Sequence, residues 1–367
     1  MLAPYCGAVM RVLFFGTYDA DSHPRVDVLR DGLTATLRDA GVRDGGSPSS
    51  VDECNVPLGL STAARVSMLH QPWLLPRLAL RLATCWATLI RRARRRPRPD
   101  VVVVGYLGHF DVLLARLLFR DVTIVLDHLV GASDTANDRG VSGGLRQRLL
   151  RGLDARALAA ADVVVVDTEE HLAALPATHR SKAVVVPVGA PTAWFTAGKS
   201  AAGSEADESE GRPLSVVFFG LYTPLQGTPT IGAALAAISD APIDVTMIGS
   251  GQDRAETQRL AAGNRRVTWF DWVDGGALPA IVARHDVCLG IFGTGAKARR
   301  VVPNKVFQGA AVGAAIVTSD TPPQRRMLGD AAVFVPPGDS AALAAELRHL
   351  AADRDRLRTA RAAAHRL

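Results

Sequence analysis

The chain has few cysteines, few aromatic side chains and no long uncharged apolar run, and each shortage removes a class of protein. Its four cysteines, Cys6, Cys54, Cys85 and Cys288, are scattered without a Cys-x-x-Cys pair or a nearby histidine partner, so neither a disulfide scaffold nor a zinc site organises the fold. A reducing cytoplasm is the expected home. Arg77 and Arg81 interrupt the best apolar stretch, which leaves nothing of the length a membrane-spanning helix needs. Residues 1–9, MLAPYCGAV, lack the charged start and apolar run of a signal peptide and read as an extension ahead of Met10. Acidic residues are missing from one region altogether. Between Cys54 and Pro99 there are nine arginines and no aspartate or glutamate, ending in RRARRRPR from Arg91 to Arg98.

What remains is a globular composition. At 367 residues, 48% hydrophobic and 21% charged, the chain is long enough for two domains with separate cores. Apolar β-branched runs recur at Met10 to Phe15, Val101 to Val104, Val122 to Leu126, Val163 to Val166 and Ala183 to Val186, with helical patterns between them. Strands alternating with helices predict right-handed βαβ units and a parallel, doubly wound sheet. The pattern breaks at TAGKSAAGSEADESEGRP, residues 196–213, which reads as a flexible acidic linker. It then restarts, with strands expected at Ser215 to Phe219, Asp244 to Ile248, Val267 to Phe270 and Val287 to Ile291. The expected organisation is α/β: a Rossmann-like domain over 1–195, the linker, and a second over 214–367, with the carboxyl ends of both sheets facing an interdomain cleft.

The net charge of +6 is unevenly placed, and the arginine-rich segment from Arg77 to Arg98 holds much of it. Interleaved with Trp73, Leu74, Leu75, Leu78, Leu80, Trp86 and Leu89, it suits an amphipathic helix lying on an anionic membrane and equally a solvated face on a core helix. Nucleic acid is not an expected partner, because no recognition module accompanies the patch.

The densest chemistry lies between Val287 and Pro337. A glycine-rich loop from Gly293 to Asn304 carries Lys297, Arg299 and Arg300 and opens onto a helix beginning near Asn304 and Lys305. Side-chain cations beside the N–H groups of a helix start form an anion site, here at the carboxyl end of a parallel sheet. The run from Gln308 to Val317, and Pro336-Pro337-Gly338-Asp339 before an Ala/Leu helix, resemble the donor half of family-4 (group 1) retaining glycosyltransferases of GT-B fold. Pro303-Asn304-Lys305 marks the variant of the motif that some GT-B enzymes carry. The two glutamates of the usual family pattern fall at Arg300 and Gln308. Gln308 keeps the capacity to hydrogen-bond ribose hydroxyls, whereas Arg300 suits phosphate.

The resemblance implies a donor site for a UDP- or GDP-sugar, which is a co-substrate, with no cofactor and no metal. Its residues would be Gly220, Gln226 and Gly227 in the loop after the first strand of the second half, then Gly249, Ser250 and Gly251, then Trp272 and Val273 beside the base, then Gly293, Lys297, Arg300, Asn304, Lys305 and Gln308. Where the commonest pattern has an arginine and a lysine clamping the diphosphate, this chain has Leu221 and Gln226, so the replacement charge is expected from Lys297, Arg299, Arg300 and Lys305. In the first half, Gly16, Thr17, Tyr18 and His23 lie where such enzymes admit the acceptor. Asp127, Asp138 and Arg139 are further acceptor candidates, and His128 and Asp134 are the candidates for catalysis. The implied reaction is transfer to the hydroxyl of a glycan or lipid-linked acceptor with retention, the departing phosphate assisting same-face attack. A membrane-bound acceptor would put the protein on the inner face of the plasma membrane. Gly249-Ser250-Gly251 followed by Asp271 imitates a dinucleotide fingerprint, so a nicotinamide-dependent oxidoreductase stays open, as do a nucleotide-sugar epimerase of the same fold and a non-catalytic relative.

Overall fold

In the computed structural model, residues 10–19, 24–44, 49–59, 75–129, 131, 144–202 and 211–367 are described. The chain divides into two compact units, Met1–Val186 and Pro187–Leu367.

The first unit is built on six parallel strands, β1 (Arg11–Gly16), β2 (Ser50–Asn55), β3 (Val101–Val104), β4 (Thr123–Asp127), β5 (Val163–Val166) and β6 (Ala183–Val185), in the order β2-β1-β3-β4-β5-β6. The valine-rich runs are central strands because both faces are covered. Leu13, Phe15, Val102, Val104, Ile124 and Val164 join one core cluster, while Val12, Phe14 and Val103 point the other way and pack with Val26 of the helix Arg25–Asp44. The edge strand β2, SVDECN, was not expected, because only Cys54 in it is fully buried and its polar residues break any apolar run.

The second unit holds β7 (Leu214–Phe219), β8 (Ile243–Ile248), β9 (Val267–Phe270), β10 (Val287–Leu289), β11 (Ala315–Ser319) and β12 (Ala332–Val335), all parallel, in the order β12-β11-β10-β7-β8-β9. From β7 the chain runs outward through β8 and β9, then returns to place β10 on the other flank of β7. The gap between β7 and β10 is therefore the point where the winding reverses, the position at which open α/β sheets bind ligands beyond their strand ends.

Thr196 to Ala202, the start of the expected linker, are helical. They complete the helix Thr192–Ala202, which belongs to the second unit. Trp194 explains the attachment: it is buried and stacks on Phe219 with ring centroids 5.4 Å apart. The unit boundary accordingly falls before this helix. Residues 203–210 of the expected linker lie outside the described residues.

Candidate functional site

In the second unit three loops converge at the strand ends. The loop after β7 runs from Gly220 to Gly227, and Tyr222 N–H donates to the Ser250 carbonyl (2.9 Å) in the loop after β8. On its other flank Phe292 N–H donates to the Gln226 carbonyl (3.0 Å), joining it to the loop after β10. The approach is close enough that side chains would not fit. A Cβ on Gly249 would lie 1.9 Å from the Gly220 carbonyl oxygen, and one on Gly227, which has φ +63°, 2.4 Å from the backbone of Phe292 and Gly293. Gly220, Gln226, Gly227, Gly249, Ser250, Gly251 and Gly293 are thus brought together around the β7/β10 switch point.

Lys305 sits at the centre of this arrangement. It lies on the first turn of the helix Asn304–Ala311, whose start no side chain caps. Its ammonium donates to Gln226 Oε1 (2.6 Å) and lies 3.7 Å from the centroid of the Phe218 ring. The residue is only 5% exposed, and burial pulls its pKa down to about 7. The nearest ionisable neighbour, Cys288, is no counter-ion: its thiol is pushed up to about 12 by burial and stays neutral. A cation buried with an amide oxygen and an aromatic face, and no carboxylate partner among the described residues, is under-compensated and attracts an anion. Asn304 Oδ1 beside it is also buried with no hydrogen-bond partner among the described residues, a deficit of about 1–3 kcal/mol that a ligand donor would remove.

The remaining donor-side candidates lie on the same helix, on the loop before it and after β9. Gln308 is buried on the same helix. Lys297 is half-buried, and Arg299 and Arg300 are exposed on the loop before the helix. Trp272 is 80% exposed after β9, and Val273 packs against the core. Arg254, at the start of the helix after β8, has a structural task. It pairs with Asp271 (2.5 Å), reaches the carbonyls of Gly249 and Phe270, and lies over the Tyr222 ring. It ties the ends of β8 and β9 together. The one signal for it in the sequence is a cation on the first helical residue, the unfavourable end of a helix dipole.

In the first unit Gly16, Thr17 and Tyr18 lie at the corresponding switch point, between β1 and β3, and the side chains of Thr17 and Tyr18 are engaged by neighbours in the fold. Thr17 donates through both its N–H (2.7 Å) and hydroxyl (2.8 Å) to Asp111, whose other oxygen receives Trp86 Nε1 (2.9 Å). The Tyr18 hydroxyl donates to Glu53 (2.7 Å) in a buried setting. Asp127 ends β4. Its carboxylate is fully enclosed and paired with Arg25 Nε at 2.8 and 3.0 Å, which gives it a structural part. Arg25 also donates to the Val186 carbonyl (2.9 Å), so this pair ties the helix start to β4 and to the segment after β6. Gly16 ends β1 next to Asp111. His23, Asp134, Asp138 and Arg139 lie outside the described residues.

His128 is buried at the end of β4, and its backbone N–H donates to the Val165 carbonyl (2.8 Å). Burial first, then the neighbouring His109, lowers its pKa to about 4, so the ring is neutral near pH 7. The two rings meet edge to face at 5.4 Å, and His109 Nε2 is 3.2 Å from an Asp154 oxygen. His171 stands nearby with Nδ1 hydrogen-bonded to Asp167. Neither His109 nor His171 was singled out from the sequence, because their partners are set by the fold. Among the described residues no group of His, Cys, Asp and Glu is placed to hold a metal ion.

Comparison with known proteins gives these observations a family context. Residues 213–353, most of the second unit, match the family model of Glycosyl transferases group 1. Among solved structures, sucrose-phosphate synthase from Thermosynechococcus elongatus is similar over 97% of this chain and 93% of its own, with a TM-score of 0.64 at 14% identity. HepE from Anabaena, solved with UDP and glucose, is similar over 97% of this chain and 94% of its own, with a TM-score of 0.61 at 14% identity. The UDP-forming α,α-trehalose-phosphate synthase from Burkholderia vietnamiensis is similar over 98% of this chain and 93% of its own, with a TM-score of 0.58 at 13% identity. No curated protein matches by sequence. At such identities the likeness carries the fold, and that fold is the GT-B architecture.

Proposed function

We propose that the chain is a GT-B glycosyltransferase whose second unit holds a nucleotide-diphosphate sugar and whose first unit holds the acceptor hydroxyl. The observation that carries this reading is Lys305, a buried and under-compensated cation at the β7/β10 switch point, reached by a helix start and flanked by glycine loops. Backbone N–H groups and a pre-placed ammonium stabilise a departing diphosphate without reorganising during the reaction. The family pattern would place a lysine where Gln226 stands. Here Gln226 instead accepts a hydrogen bond from Lys305, so the charge arrives from the helix and reaches the same neighbourhood. Retention follows from the family resemblance, with the leaving phosphate receiving the acceptor's proton. The nicotinamide alternative is weaker, because Gly249 to Gly251 follow β8, whereas a dinucleotide fingerprint belongs after the first strand.

The test is nucleotide binding as a function of pH. UDP or GDP is expected to stabilise the protein in a thermal-shift experiment, with affinity highest where Lys305 is protonated. As pH rises above its pKa of about 7, affinity should weaken by up to about tenfold per unit, since binding then requires uptake of one proton. Stabilisation by NAD or NADP alone, or flat affinity from pH 7 to about 9, would sink the reading.

A lipid-linked acceptor is favoured over a soluble one by the helix Leu75–Arg94. Arg77, Arg91, Arg94 and, just past its end, Arg95 are exposed and form no ion pair among the described residues, and Leu80 on the same helix is 69% exposed. No helix among the described residues is long and apolar enough to cross a membrane, so the contact would be peripheral. The protein is expected to sediment with vesicles containing phosphatidylglycerol and not with phosphatidylcholine alone, and to be released when the four arginines become glutamine. Binding unaffected by those substitutions would remove this part.

A further inference from the structure

The first unit contains a cavity of about 310 Å³ that none of the expected site residues except His128 predicts. It opens between the ends of β4 and β5, two strands away from the β1/β3 switch point, and His128, Arg151, Asp154 and His171 line it together with the apolar side chains of Leu158 and Leu175. The volume is at the small end for ligand pockets, which run from about 300 to 1,000 Å³.

The polar lining has a definite chemistry. His171 is fixed twice: its Nδ1 hydrogen-bonds Asp167, which is buried, and its backbone N–H donates to Thr168 Oγ1 (3.2 Å) at the helix start. A carboxylate on Nδ1 keeps a proton there and fixes the ring's orientation, which leaves Nε2 for a ligand. His128 contributes a neutral imidazole, Asp154 a carboxylate and Arg151 a donor fork. Donors and acceptors mixed at short range, beside aliphatic side chains, suit a ligand whose hydroxyls both give and receive hydrogen bonds and whose C–H face is apolar.

We infer that this cavity binds a polyhydroxylated ring of monosaccharide size, with His171 Nε2 hydrogen-bonded to one of its hydroxyls. That the ring is the head of the acceptor rests on the glycosyl-transfer reading; the binding itself does not. His171 is then a positioning residue for the acceptor.

The experiment is saturation-transfer NMR on the full chain without nucleotide, using a panel of hexoses, pentoses and inositol, each free and as its phosphate. Saturation is expected to reach at least one ring. It should fall about tenfold, the loss of roughly one good hydrogen bond or of ring access, in His171→Phe and in Ala155→Trp. Ala155 lines the cavity from an exposed helix position, so a tryptophan there fills the space without entering the core. Both variants should keep the thermal shift given by UDP or GDP. Absence of transfer to every ring, or transfer that both variants leave intact, overturns the inference. If ring binding behaves as expected while no nucleotide stabilises the protein, the cavity stands and the transferase reading falls.

Discussion

Asp127→Ala is expected to destabilise the first unit by about 3–5 kcal/mol, the cost of leaving a buried arginine without its carboxylate. Arg25 is 2% exposed and its partner's side chain is fully enclosed, so neither charge has water to fall back on. At about 2–4 °C per kcal/mol for a body of this size, the thermal midpoint should drop by roughly 10 °C. The double variant Arg25→Met/Asp127→Leu should regain more than half of that loss, because removing both charges also removes their desolvation cost. This pattern separates a structural pair from an acceptor contact. A stable Asp127→Ala protein that still binds UDP or GDP but no longer transfers sugar would return Asp127 to the acceptor site.

Lys305→Met is expected to have the opposite profile. Nucleoside diphosphate affinity should fall by about 100-fold, in line with the 2–5 kcal/mol lost when one partner of a buried charge contact is truncated. Stability of the free protein should hold or rise. The sign follows from linkage. Burial lowers the Lys305 pKa from 10.5 to about 7, so between those values the unfolded chain binds more protons and wild-type stability climbs with pH. The penalty is fully present below about pH 7 and gone above the unfolded pKa. Methionine removes it, and the variant's advantage should be largest at neutral or lower pH and vanish toward pH 10.5. Chemical denaturation at several pH values, with and without UDP, measures both effects. A variant that loses stability and keeps its affinity would make Lys305 a core residue only.

The contrast between these residues also indicates what the sequence made legible. Central strands stood out because burial on both faces demands unbroken apolar runs, as in Val101 to Val104 and Val163 to Val166. The edge strand β2 and the helix Thr192–Ala202 did not. The first makes few apolar demands, and the second is held by one tryptophan among small and polar residues. In the second unit the loops and helix start were readable since glycines, cations and strand ends follow one another locally. Partnerships across long separations were not. Arg25 and Asp127 lie 102 residues apart, and Lys305 and Gln226 are separated by 79. Asp127 therefore looked like a polar group awaiting a substrate, and Gln226 like a lost lysine with no indication of what had replaced it.

The strand order of the first unit bears on how the protein is made. Every pairing in its sheet is parallel, so no two neighbouring strands can zip together as a hairpin while the chain emerges from the ribosome. β1 forms one side of its ladder with β2 and the other with β3, and the whole arginine-rich stretch lies between those two partners. That stretch must be synthesised before the centre of the sheet can close. For that interval a strongly cationic segment is displayed by a chain whose core is still open, the stage at which exposed apolar strands are most prone to associate. Like charges repel, so a stretch of nine arginines without one acid disfavours close approach between copies at that stage.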